Sequence, residues 1–333
     1  MNQPLISVVT PFRNTAPYLA QCIESVLAQT YRSFEYILVD NCSDDGAIEI
    51  AESYARRDSR IRLYRQPDVL PQVRNYNNAL TRIDESSWYC KIVQADDAIF
   101  PECLRLMAMA FEQSKSIGLV SSYYLKGNTV LGSGLPYATP ILDGKEMARL
   151  FLRSGVYVFG SPTTVAFRSS IVRSERPFYD ESLLHEDTEK CMQILRKWDI
   201  GFVHQVLSFL RVENESISSS VRSFGPNALD WYIIVQRYAS IFLDSDEAGA
   251  LKARSRRDYY RFLAREALKF RERAFWRYHR SGLNSLEERM DRPLLATQVG
   301  LELLSMALNP GTTVEAMIRY GRRARHDKKG RSS

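Results

Sequence analysis

The first hundred residues repeat one alternation, an apolar β-branched run followed by a segment with apolar residues at helical spacing, and this rhythm restricts the fold more than any other feature. Leu5–Thr10 (LISVVT) is a buried-strand run that stops at Pro11. Tyr18–Gln29 then sets Leu19, Cys22, Ile23, Val26 and Leu27 on one helical face, and Phe34–Val39 (FEYILV) is the next strand. Ile48–Arg56 reads as helix, Ile61–Tyr64 as strand, Val73–Ile83 as helix and Trp88–Val93 as strand. Uninterrupted apolar strands alternating with helices predict an α/β fold, a doubly wound and mainly parallel sheet. Past Ser220 the pattern changes to helices with few strand signals. The expected organisation is an α/β domain over 1–225, a basic helical region over 226–318 and a disordered basic tail over 319–333.

In such a sheet, ligands bind beyond the carboxyl ends of the strands. The residues expected there are Thr10–Asn14, Asp40–Asp45 and Asp96–Asp97, which are rich in carboxylates and amides. None of these loops carries the glycine pattern of a dinucleotide fingerprint or of a phosphate-cradling NTPase loop. A diphosphate bound here therefore needs another source of positive charge. Of Asp96 and Asp97, one could meet a ribose hydroxyl while the other supplies that charge by holding Mg²⁺ or Mn²⁺ together with substrate phosphate oxygens. Taken alone, the pair serves equally well as a turn that caps the helix after Pro101.

With 45% hydrophobic and 25% charged residues, the chain has a globular composition. It contains no apolar run of the roughly 18 residues that a membrane span needs, and Met1–Pro11 lacks the features of a signal peptide. A cytoplasmic protein is expected, soluble or peripheral on the cytoplasmic face of a membrane. Five scattered cysteines point to reduced thiols. The net charge of +6 is unevenly placed: residues 250–280 hold eleven basic and three acidic side chains, and Arg319–Ser333 holds seven basic and one acidic. Between Tyr259 and Tyr278, Phe262, Leu263, Ala267, Phe270 and Ala274 recur at helical spacing, flanked by Arg265, Lys269, Arg273 and Arg277. That helix can lie on an anionic membrane surface, or pack on the protein with a solvated basic face. No nucleic-acid recognition motif accompanies the basic tail.

The strings ISVVTPFRN, FEYILVDNCSDDG, QADDAIFPECL and YDESLLHEDTEKC, in this order over roughly Pro4–Ser220, resemble the inverting family 2 glycosyltransferases of the GT-A fold. The resemblance implies transfer of a sugar from a nucleoside-diphosphate donor to a hydroxyl of a glycan or lipid-linked acceptor, in surface polysaccharide or glycolipid biosynthesis, with a divalent metal. By the same resemblance Thr10 and Pro11 lie against the nucleotide base and Asp40 begins the base-reading acidic pair. Its second member is Asn41, where the family usually has Asp. Arg74 and Asn77 match the Arg and Asn that precede the metal strand, Asp96 the carboxylate near the ribose, and Asp97 the metal ligand. Gln94 stands where an acid is common. Glu186 and Asp187 match the acidic pair at a helix start, with Asp187 as the catalytic base; an acidic first turn is also what any helix dipole favours. Many members place a His near the metal where this chain has Glu213, a second candidate ligand. His204, on a strand-like segment, is expected to be packed rather than to ligate metal.

Gln193-Ile194-Leu195-Arg196-Lys197 lacks the Trp of the processive synthases' Gln-x-x-Arg-Trp, so a single-transfer enzyme is expected. Two rival readings remain open. A sugar nucleotidyltransferase would carry a glycine-rich loop after its first strand, and TPFRNTAPYL has no glycine. A non-catalytic nucleotide or membrane adaptor is disfavoured by intact Asp97 and Asp187 but suits Gln94, Asn41 and Glu213.

Overall fold

The computed structural model describes residues 3–181, 186–212 and 224–308. Strands β1 (Ile6–Phe12), β2 (Phe34–Asp40), β3 (Ile61–Arg65) and β4 (Tyr89–Ile92) are joined by helices α1 (Ala16–Leu27), α2 (Ala47–Ala55) and α3 (Gln72–Leu80). β1 pairs in parallel with both β2 and β4, and β2 with β3, which brings their carboxyl ends to one edge. Every residue of β1, β2 and β4 is buried, as continuous apolar runs between two helical layers require. α1 contributes Leu19, Cys22, Ile23 and Val26 to the same core.

β1 continues two residues past its expected end, through Pro11 to Phe12. Pro11 lies beyond the last β1–β4 pair, Val9 with Ile92, and the alternation of the ladder turns it to that vacated side. Its missing N–H therefore costs no sheet hydrogen bond.

The chain goes on through β5 (Ala98–Ile99), α4 (Cys103–Glu112), β6 (Ile117–Lys126), β7 (Thr129–Leu131), β8 (Ile141–Leu142), α5 (Gly144–Ser154), β9 (Ala166–Arg168), α6 (Ser169–Ser174), α7 (Glu186–Ile194) and β10 (Asp199–Leu210). The sheet runs β3-β2-β1-β4-β9-β6-β10-β5. β9 enters antiparallel between β4 and β6, so the predicted parallel sheet is interrupted where the strand after the acidic turn would otherwise have paired. Asp143 caps α5 by accepting from Glu146 N–H at 3.0 Å, and the first helical residue is Gly144 for want of space. A Cβ at Gly144 would stand 2.0 Å from the carbonyl oxygen of Trp198 and 2.7 Å from that of Leu195.

Four further helices follow: α8 (Pro226–Phe242), α9 (Ser245–Ala267), α10 (Arg273–Asn284) and α11 (Arg292–Leu308). The chain divides into two compact units, the second made of residues 224–237 together with those from 245 on, while 238–244 return to the first. In the second unit Tyr232 stacks on Tyr259 at 4.7 Å, and buried His279 bonds the Tyr259 hydroxyl at 3.0 Å and the Phe224 carbonyl at 2.9 Å. The single helix expected between Tyr259 and Tyr278 is broken. α9 stops at Ala267, and Phe270 takes a φ of 52° in the turn, 92% exposed. Among the described residues no helix is long and apolar enough to cross a membrane.

Gly144→Ala is expected to cost at least about 1–3 kcal/mol, since the obstructing atoms are backbone rather than flexible side chains. Chemical denaturation of the two proteins measures it; equal midpoints would mean that α5 does not approach Trp198 this closely.

Candidate active site

At the carboxyl edge of the parallel strands, Asp40 ends β2 and the Asp96–Asp97 turn follows β4. Asp40 is buried, and its Oδ1 accepts from Ser43 N–H at 3.0 Å, tightening the turn out of β2. Thr10 lies on β1 near this edge. Its hydroxyl points into the core, donating to the Val93 carbonyl at 2.8 Å and lying 3.1 Å from the Tyr36 hydroxyl. Pro11, beside it, is buried as well.

Asp97 is 6% exposed and both of its oxygens are engaged. Thr163 Oγ1 donates to Oδ2 at 2.6 Å and Arg211 N–H donates to Oδ1 at 3.1 Å. Burial, and then the neighbouring Asp96 carboxylate, push its pKa up to about 7 against these two hydrogen bonds. The Arg211 guanidinium donates to the Asp96 carbonyl at 3.1 Å and covers the Tyr18 ring at 4.7 Å, which ties the acidic turn to the start of α1. Below, the fully buried Lys91 donates to the carbonyls of Thr163 and Val165, and burial lowers its pKa to about 8. Thr163 is thus gripped by Lys91 at its carbonyl, while its hydroxyl accepts from Gln94 N–H at 3.0 Å and donates to Asp97.

The donor set suits a hard divalent cation. Adjacent carboxylates with spare lone pairs accept one readily, and a cation beside them would offset both causes that raise the Asp97 pKa. Among the described residues, no cluster of three or more His, Cys, Asp or Glu side chains could enclose a metal. Substrate phosphate oxygens would have to complete its shell, as is usual for Mg²⁺.

The second acidic group opens α7. Glu186 is buried, and Asp187 Oδ1 accepts from Thr188 N–H at 2.7 Å. The Tyr157 hydroxyl lies 2.8 Å from Thr188 Oγ1 and donates to the Gly160 carbonyl at 2.8 Å. One strap, Tyr157 to Thr163, therefore holds α7 beside Asp187 at one end and Asp97 at the other. A second link is Tyr76 on α3, whose hydroxyl accepts from the Gln94 amide at 3.1 Å. Burial raises the Tyr76 pKa first, and the charges of Glu186 and Asp96 add to it, so this one phenol lies in the field of both acidic groups. Asp187 likewise adds to the burial that pushes up Tyr124, Tyr157 and Tyr179.

Two asparagines bind backbone in the same way. Asn41 gives its amide N–H to the Leu70 carbonyl at 2.8 Å and takes the Leu70 N–H at 2.8 Å. Asn77 does this to Tyr179, at 2.9 and 2.8 Å, and also reaches Glu181 Oε1 at 3.2 Å. Each presents a donor and an acceptor side by side, as a peptide edge does, and so clips a loop. Arg74 is exposed and, with Asn77, Arg176 and Glu181, lines an open hollow of about 220 Å³. His204 is packed, with Nδ1 3.0 Å from the Tyr123 hydroxyl and Nε2 3.0 Å from the Thr139 carbonyl. Glu213 lies outside the described residues.

Sequence reasoning did not single out Lys91, Thr163, Tyr157 or Tyr76. Lys91 had a signal, a lone charge inside the apolar run Trp88–Val93. Thr163, Tyr157 and Tyr76 had none, since their partners are distant in the chain. Asn41→Asp, which restores the residue more usual in the resembled family, removes the donor to the Leu70 carbonyl and sets a carboxylate against it. A loss of about 1–3 kcal/mol is expected, read from the denaturant midpoint, and an unchanged midpoint would remove the clip from the account.

A protein family described as Glycosyl transferase family 2 matches residues 7–175. Among characterised and uncharacterised relatives, glycosyltransferase GlyG of Streptococcus pneumoniae serotype 4 is 31% identical over 122 residues, 36% of this chain and 39% of its own length. An uncharacterized glycosyltransferase of Haemophilus influenzae is 29% identical over 225 residues, 66% of this chain and 84% of its own. Two solved structures share the fold. Staphylococcus aureus TarS 1–349 in complex with UDP-GlcNAc has a TM-score of 0.56 at 19% identity, covering 89% of this chain and 79% of that one. Mannosyltransferase PcManGT from Pyrobaculum calidifontis, in complex with GDP-Man and Mn²⁺, has 0.55 at 14% identity, covering 96% and 85%.

Proposed function

The chain belongs to glycosyl transferase family 2, and from that premise we propose that it moves a sugar from a nucleoside-diphosphate donor to a hydroxyl acceptor, once per encounter and with inversion at the anomeric carbon. The observation that carries this reading is the pairing of two acidic groups through Tyr76 and the Tyr157–Thr163 strap. A glycosyl transfer needs both: one beside the diphosphate, one beside the incoming hydroxyl. The acceptor is a glycan or a lipid-linked glycan of surface polysaccharide or glycolipid synthesis, met at an anionic membrane surface. The donors bound by the two structural neighbours, UDP-GlcNAc and GDP-Man, support the donor class.

In this mechanism Asp187 accepts the proton of the acceptor hydroxyl as its oxygen attacks the anomeric carbon, opposite the breaking bond to the diphosphate. General-base help of this kind contributes roughly a hundred- to ten-thousand-fold in rate. The sugar's bond to the diphosphate oxygen breaks with its electron pair, and the nucleoside diphosphate departs. Asp40 and Asp96 help seat the nucleoside, and the exposed guanidinium of Arg74 is available to the donor from α3. Asp97, with Asp96, would hold Mn²⁺ or Mg²⁺, and a cation there supplies charge compensation for the diphosphate. The family's usual reading of residue 41 does not transfer, because Asn41 is committed to Leu70.

A thermal-shift panel of UDP-, GDP- and dTDP-sugars, with and without Mn²⁺, tests the reading. A donor at a hundred times its dissociation constant is expected to add about 2.7 kcal/mol. Asp97→Ala should lose the metal-dependent part of the shift. Asp187→Ala should keep donor binding and lose turnover by roughly a hundredfold or more. Transfer at the normal rate by Asp187→Ala would remove it as the base, and absence of any response across the panel would remove the donor class.

A further inference from the structure

α11 rests on its unit by one side, where Leu294, Leu295, Val299 and Met306 are half-buried, and shows a second apolar arc to solvent. Over its 17 residues it has one base, Arg292, and one acid, Glu302. Its single fully buried side chain is a glutamine, Gln298. Glu302 faces inward too, paired with Arg265 at 3.1 Å and Arg261 at 3.9 Å on α9. The opposite arc carries Leu301, Leu303, Leu304 and Leu308, which are 51 to 71% exposed, with exposed Ala296 and Ala307 between them. At 100° per residue these positions, with Gly300 and Thr297, cover about half of the helix circumference without a charge. Such a face, about 18 Å long, is not how a solvated helix is built.

The surroundings say what it faces. The one acid is already neutralised by α9, and Arg261 and Arg265 flank the helix at 48 and 59% exposure. Beyond Leu308 the sequence adds seven Lys and Arg against Glu315 and Asp327. A second copy of this chain would bring the same excess of positive charge to the contact; an anionic lipid surface brings the complementary one. The helix is too short and too flanked by charge to span a bilayer, and it has the apolar arc with basic borders of a helix lying in the interface. On α9, whose apolar face the sequence left open between membrane and packing, Tyr259, Tyr260, Leu263 and Ala264 are buried inside the unit.

We propose that the exposed leucine face of α11 docks this protein on an anionic membrane surface, with Arg261 and Arg265 at its border. The proposal rests on the membrane-side acceptor suggested above, but its test reads no turnover. Flotation of the full chain with vesicles of phosphatidylcholine alone, and of phosphatidylcholine mixed with phosphatidylglycerol, is the measurement. Wild-type protein is expected to float with the anionic vesicles only, less as salt rises. The combined variant Leu301→Gln, Leu304→Gln, Leu308→Gln should keep its circular dichroism and melting temperature, since these side chains are exposed, and lose binding by roughly tenfold or more. Failure of wild type to float, or equal flotation of the variant, overturns the proposal. A wild-type dimer that the variant turns into a monomer, with no response to vesicles, overturns it in favour of a second copy as the occupant. A chain that floats and transfers no sugar from any donor of the panel overturns the transferase reading alone.

Discussion

The buried carboxylate of Asp97 is the constraint around which the first unit is arranged. An ionised group taken out of water and set next to a second acid is costly, and the fold answers with two donors and a buried cation drawn from three places in the chain. Thr163 comes from the loop before β9, Arg211 from the end of β10, and Lys91 from the middle of β4 beneath them. Each is held in turn: the threonine by the lysine, the arginine by the face of Tyr18. The requirement for a satisfied Asp97 therefore fixes how the sheet's two halves meet, and it also fixes where Tyr157 delivers α7.

This has a consequence for how the acidic groups act. Asp187 sits in the first turn of a helix whose position is set by Tyr157 and Thr188, with Glu189 taking the Tyr238 hydroxyl at 2.5 Å. If Asp187 is the base, as proposed, it is placed by packing, and a rigid support of this kind is what precise proton transfer needs. The asparagine clips have the same purpose. By closing Asn41 on Leu70 and Asn77 on Tyr179, the protein spends two amides on holding loops at the rim of the strand edge. Buried backbone groups in those loops would otherwise go unpaired, at a cost comparable to the bonds made.

The second unit follows another logic. Its interior is aromatic, built from Tyr232, Tyr259, Tyr260, Phe275 and the neutral His279, whose pKa burial lowers to about 4. α9 supplies basic side chains outward from that core, while α11 turns Gln298 and Glu302 inward and Leu301, Leu303, Leu304 and Leu308 outward. Hydrophobic periodicity identifies an apolar face on both helices and is blind to which of them the fold covers.

The sequence by itself determined the alternation of strand and helix, the parallel sheet, the acids at the ends of β2 and β4, and the family resemblance that orders them. These are properties of local pattern: side-chain period, apolar runs and turn residues act over a few positions and can be read there. The tertiary structure alone decided that Thr10 looks inward, that Asn41 and Asn77 bind backbone, that Lys91 and Thr163 support Asp97, and that α11 rather than α9 shows its apolar face. Each of these depends on a partner at long sequence separation, 29 positions for Asn41 and Leu70 and 102 for Asn77 and Tyr179. An amide or hydroxyl looks the same in sequence whether its hydrogen bonds go to a ligand or to the chain, and only packing determines which.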